Sequence, residues 1–86
     1  MNLFLDISQI NENICFSKSS TNETNLIILN NQSNDEYPKS FFFDINKNSK
    51  LNVIHFNISN YKSFLYFESN LQDNAYLNFV SFQSDN

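Results

Sequence analysis

Eighty-six residues with five Lys, no Arg and nine acids give a net charge of −4. That length allows one domain with a modest core, and that charge excludes the basic footprint a phosphate backbone requires. A single cysteine, Cys15, excludes an internal disulfide, and no apolar run approaches the roughly 20 residues of a helical membrane span.

The predicted elements are seven short apolar segments. In chain order they are LFLDI (Leu3 to Ile7), ICF (Ile14 to Phe16), LIIL (Leu26 to Leu29), FFFDI (Phe41 to Ile45), LNVIHFNI (Leu51 to Ile58), SFLYF (Ser63 to Phe67) and AYLNFVSF (Ala75 to Phe82). They are short and rich in β-branched and aromatic residues, the second being the weakest. Polar clusters, SSTNETN, NNQSNDEYP, NKNSK, SNYK and SNLQDN, separate them, which is the strand-and-turn pattern. Helix is conceivable only from Ile7 to Asn13, where Asn and Ser favour a turn. Leu51, Val53 and His55 fall on one strand face, with Ile54, Phe56 and Ile58 on the other. Apolar residues on both faces of a strand point to cover on both sides.

The chain contains seventeen Asn and twelve Ser but no Gly. An AT-rich genome accounts for the Asn. Asn is also the residue, after Gly, that best tolerates positive φ, so it can fill tight turns. The sequons at Asn22, Asn31 and Asn57 carry no information in a chain so rich in Asn, Ser and Thr.

Spacing is the most informative feature. Phe41, Val53, Leu65 and Leu77 follow one another at a constant interval, and the same interval separates Ile14 from Leu26. The step from Leu26 to Phe41 is longer, and the surplus lies in the NNQSNDEYP loop. A strand-plus-turn unit of about 12 residues fits a parallel β-helix with two strands per coil. It also fits an antiparallel β-meander or sandwich. In the β-helix, strands two units apart pair in parallel. Leu26, Val53 and Leu77 then form one column, and Ile14, Phe41 and Leu65 another. Pro38 would stand at a coil corner, Asn74 would hold the turn before Ala75, and the final strand would offer an open end for self-association.

The runs NSKLNVIHF and DNAYLNFVSFQ carry a family resemblance, through Asn74, Ala75, Leu77 and Gln83. They resemble the β-helical core of the SufB/SufD scaffold family of iron–sulfur cluster assembly, SufD most closely. The upstream runs DISQINENICF and NLIILNN extend the resemblance from Leu3 to Gln83. The family's glycines are missing here. The resemblance implies an all-β fold, a right-handed parallel β-helix (solenoid) fragment, with residues 1–86 forming one β-domain of a longer core. It implies a non-catalytic scaffold segment with SufB-like and SufC-like partners. The family's cluster-assembly residues lie beyond the matched part, so none carries over. The alternative from another class is a small β-sandwich or meander interaction module of phage or adhesin type.

The residues themselves offer little chemistry. His55 has no second His or Cys beside it and reads as a strand histidine with a satisfied hydrogen bond. Cys15 reads as a small buried hydrophobe. Asp35 and Glu36 read as solvated loop acids, and Phe41-Phe42-Phe43 as a strand buried on both faces. Without Gly there is no phosphate-binding loop. No catalytic, cofactor-binding or metal residue is expected, and neither iron nor zinc in the monomer. An enzyme has the least support. The start, MNLFLDISQI, lacks the basic and long apolar regions of a signal peptide, so a cytoplasmic location is expected, with neither nucleic acid nor membrane as a partner.

Overall fold

A computed structural model describes residues 1–10, 12–31, 39–58 and 65–83. Seven strands follow one another: β1 (Asn2–Asp6), β2 (Ile14–Lys18), β3 (Thr24–Asn30), β4 (Lys39–Ile45), β5 (Lys50–Asn57), β6 (Leu65–Leu71) and β7 (Tyr76–Gln83). They divide into a four-stranded sheet, β1-β3-β5-β7, and a three-stranded sheet, β2-β4-β6. Each strand pairs with the strand two places along the chain, and all five pairings are parallel. The chain alternates between sheets, so each crossover contains a strand of the opposite sheet. This supplies the long connection that parallel pairing requires. The antiparallel meander, in which sequence neighbours pair, is not the arrangement found.

The expected columns are correct in their first steps and shifted in their last. Leu26 pairs with Val53, and Ile14 with Phe41. Val53 then pairs with Phe79 rather than Leu77, which sits beside Leu51. Likewise Phe41 pairs with Phe67 rather than Leu65, which sits beside Lys39. The last step of each column is thus longer by two than even spacing gives. A shift of two preserves side-chain parity, so the inward and outward faces are unchanged. β6 also runs further than SFLYF suggests. Its second half, Glu68-Ser69-Asn70-Leu71, is polar enough to read as a turn, yet it pairs with Phe42 to Ile45. Ser63, Phe64 and Pro38 lie outside the described residues.

The turns explain how a chain without glycine makes tight corners. Asn48 and Asn74 have φ of 61° and 58°, values that favour Gly and, next to it, Asn. Each is the third residue of a β-turn. Ser49 N–H donates to the Asn46 carbonyl at 3.1 Å, and Ala75 N–H to the Gln72 carbonyl at 3.0 Å. The turns stack, with Asn48 N–H donating to the Asp73 carbonyl at 3.0 Å. Ser49, fully buried, and Ala75 follow as small residues where the chain re-enters the four-stranded sheet.

The core lies between the sheets. Leu26, Ile28, Leu51 and Val53 from one sheet, Phe41, Phe43 and Ile45 from the other, and Ile7 after β1 are buried together. Period-2 alternation selects them. A cluster of rings spans the sheets. Phe43 lies 4.7 Å from Phe41 and stacks on Phe67 at 6.1 Å, and Phe67 lies 4.6 Å from Phe79 of the opposite sheet. The Phe41–Phe43 run is therefore buried on one face only, because Phe42 points outward and is half-buried.

Candidate interaction surface

The outward face of the four-stranded sheet carries three side-chain rows. The first is Asn2, Asn25, Asn52 and Asn78, aligned by register. Asn25 Nδ2 donates to Asn2 Oδ1 at 2.9 Å, and Asn52 Nδ2 to Asn25 Oδ1 at 3.0 Å. Glu23 Oε1 also accepts from Asn52 Nδ2 at 2.7 Å. Such a carboxamide row adds side-chain bonds along the stacking direction of the backbone ladder. Glu23, Lys50, Asn52, Tyr76 and Asn78 line a shallow polar hollow beside it.

The other two rows are apolar. Phe4, Ile27, Ile54 and Val80 form one, and Leu29, Phe56 and Phe82 most of the next. Phe56 and Phe82 stack at 5.3 Å, and both are exposed. Phe4, Val80, Phe56 and Phe82 of these rows are exposed, which makes this face the candidate interaction surface. The three-stranded sheet is more polar outside, with Ser17, Asp44 and Asn70 in one row and Asn70 Nδ2 donating to Asp44 Oδ1 at 3.2 Å.

Cys15 was expected to be buried, but it is exposed on the outward face of β2. Ile14 and Phe16 take the inward positions of that strand, and alternation sends Cys15 out.

His55 faces inward and is 2% exposed. Its Nδ1 shares a hydrogen bond of 2.9 Å with Ser81 Oγ, and its ring packs edge-on against Phe67 at 5.1 Å. The expectation of a satisfied histidine holds for one nitrogen only, because Nε2 is buried without a partner among the described residues. Burial pushes the imidazole pKa below its ordinary value of 6.5, since the interior disfavours the cation. Below pH 6.5 the unfolded chain takes up a proton that the folded chain resists, so stability falls as pH drops from 6.5 toward the lowered native pKa. Thermal melts between pH 7.5 and 5.5 should show this loss, and His55→Leu should reduce it. An unchanged slope in the variant would assign the loss to other groups.

Among the described residues, no three His, Cys, Asp or Glu side chains gather as a metal site, and no helix is long and apolar enough to cross a membrane. Asp35 and Glu36 lie outside the described residues. The asparagine row escaped the sequence reading. Its signal was the nearly even spacing of Asn2, Asn25, Asn52 and Asn78, hidden among the many other asparagines. Comparison with protein-family models, curated proteins and solved structures finds no match to this chain.

Proposed function

We propose that the chain is a segment of a right-handed, two-sheeted parallel β-helix that serves as a non-catalytic scaffold. The observation that carries this reading is the pairing of each strand with the next but one, in parallel, in both sheets. A chain that alternates between two facing sheets and returns one strand further along each time describes a flattened coil. Right-handed crossovers are the rule for such connections. The stacked turns at Asn48 and Asn74 support the reading, since repeated corners in register characterise a solenoid. The most visible polar arrangement, the asparagine row, runs along the stack and ties strand to strand, which is a structural use of side chains.

The SufD-like resemblance supplies a context for that scaffold. In this reading it acts in iron–sulfur cluster assembly, in the cytoplasm, beside SufB-like and SufC-like proteins. Co-expression with the SufB-like and SufC-like proteins of the same cell tests it. A stable complex that retains this chain through size-exclusion chromatography is expected. A folded chain that elutes alone would remove the cluster-assembly context and leave the β-helical scaffold standing.

A further inference from the structure

The asparagine row on the four-stranded sheet is hydrogen-bonded along part of its length only. Where it is bonded, each carboxamide Nδ2 donates to the Oδ1 of the row member one strand nearer β1. Asn52 spends its Nδ2 donors on Asn25 Oδ1 and Glu23 Oε1, which are all the donors a carboxamide has. Its Oδ1 is left on the side of β7, where Asn78 is its register partner. The same pattern would have Asn78 Nδ2 donate to it. Among the described residues no such bond forms, and the Asn78 carboxamide has no partner. The interruption lies between β5 and β7, inside the sheet, so it is independent of whatever adjoins β1 or β7.

The interruption coincides with the hollow lined by Glu23, Lys50, Asn52, Tyr76 and Asn78. Lys50 stands beside Tyr76 and Asn52 beside Asn78 in register, and Glu23 leans in from the residue before β3. The four strand residues project from the outward face, so the hollow opens there and not at a strand edge. It measures about 360 Å³, within the range of ~300–1,000 Å³ usual for small-molecule sites.

The groups in the hollow favour one class of ligand. Glu23 and Lys50 balance each other, so the hollow has no net charge to draw in a phosphate or a metal ion. Open acceptors, Asn52 Oδ1 and the Glu23 carboxylate, stand close to open donors, Asn78 Nδ2, the Lys50 ammonium and the Tyr76 hydroxyl. Tyr76 also contributes an exposed ring. A sugar needs this mixture. Each of its hydroxyls both donates and accepts, and the C–H face of its ring is apolar and suits contact with an aromatic face. A small zwitterion would engage the two charges and leave the Tyr76 ring without a contact.

We propose that the hollow binds a neutral sugar unit. One sugar hydroxyl accepts from Asn78 Nδ2 and donates to Asn52 Oδ1, closing the interrupted row, and the Tyr76 ring lies against the C–H face. The proposal goes beyond the scaffold reading and needs only the parallel pairing of β3, β5 and β7. Hydrogen bonds exchanged against water gain little each, so millimolar affinity is expected.

Nuclear magnetic resonance titration of the isotope-labelled chain tests it. D-glucose, D-galactose and N-acetyl-D-glucosamine are the sugar probes, with glycine and inorganic phosphate as ionic ones. At least one sugar should shift the Asn52 and Asn78 side-chain amide signals saturably. Tyr76→Ala and Asn78→Ala should each weaken its binding about tenfold, the loss of roughly one well-made contact. Asn2→Ala should leave the affinity unchanged, because Asn2 belongs to the row but not to the hollow. Circular dichroism establishes which hollow variants fold. One folded variant suffices, and Lys50→Gln stands in if neither folds.

Saturation by glycine or phosphate but by no sugar would overturn the sugar assignment and make the hollow an ionic site. No saturable shift with any probe would overturn ligand binding there. An equal loss in Asn2→Ala would also overturn it, because the integrity of the row and not the hollow would then carry the effect. Nuclear Overhauser contacts between Leu26 and Val53, register partners in β3 and β5, keep these failures separate from a failure of the fold. Their presence leaves the scaffold reading standing without the sugar, while their absence removes the pairing on which both depend.

Discussion

Phe43→Ala is expected to bring the fold to the edge of unfolding at room temperature. Phe43 is 1% exposed. Its ring meets Phe41 and Phe67 in its own sheet and Phe79 in the opposite one, with centroids 4.7, 6.1 and 6.3 Å away. Truncating a buried Phe costs about 3–5 kcal/mol, in lost transfer energy and in the cavity left behind. The whole stability of a small domain is about 5 kcal/mol at the low end of the usual range. A single truncation therefore removes most of it. Phe42→Ala is the control, because Phe42 is the adjacent residue on the outward face and only half-buried. It should cost about 1 kcal/mol, the typical value for a point substitution. Urea melts followed by far-ultraviolet circular dichroism read both. Equal losses would mean that β4 does not separate its faces in this way.

The same alternation accounts for what the sequence made legible. LNVIHFNI assigns Leu51, Val53 and His55 to one face, and all three are buried. The even spacing of the apolar centres captured the strand-plus-turn unit, and with it the pairing of Leu26 with Val53 and Ile14 with Phe41. It missed the longer last step of the three-stranded sheet because Glu68 to Leu71 are mostly polar residues that pair as a strand. Their place in a ladder is set by the neighbouring strand, not by their own composition. The exposure of Cys15 was hidden for a related reason. ICF is apolar throughout, so composition cannot show which residue faces inward until Ile14 is aligned with Phe41. The asparagine row required the register itself, because nothing in Asn2 or Asn25 alone distinguishes a row member from a turn residue.

A carboxylate introduced at Ile28 should be far more damaging than one introduced next to it at Ile27, and the contrast tests the two-sheet architecture directly. Ile28 is fully buried and stands between Leu5 and His55 in its row. Neither neighbour offers an ion pair, since Leu5 is apolar and burial favours the neutral form of His55. An unpaired buried charge costs several kcal/mol even after relaxation, so Ile28→Asp should not fold at neutral pH. Ile27 points to the opposite face, between Phe4 and Ile54, where it is half-buried and water can reach an introduced carboxylate. Ile27→Asp should cost about 1 kcal/mol and leave a cooperative melt. It also interrupts the outward apolar row of Phe4, Ile27, Ile54 and Val80. Thermal melts of the two variants at pH 7.5 give the comparison. If Ile27→Asp unfolds the chain while Ile28→Asp folds, β3 presents its other face to the core. The columns from Leu3 to Phe79 would then be misaligned by one residue.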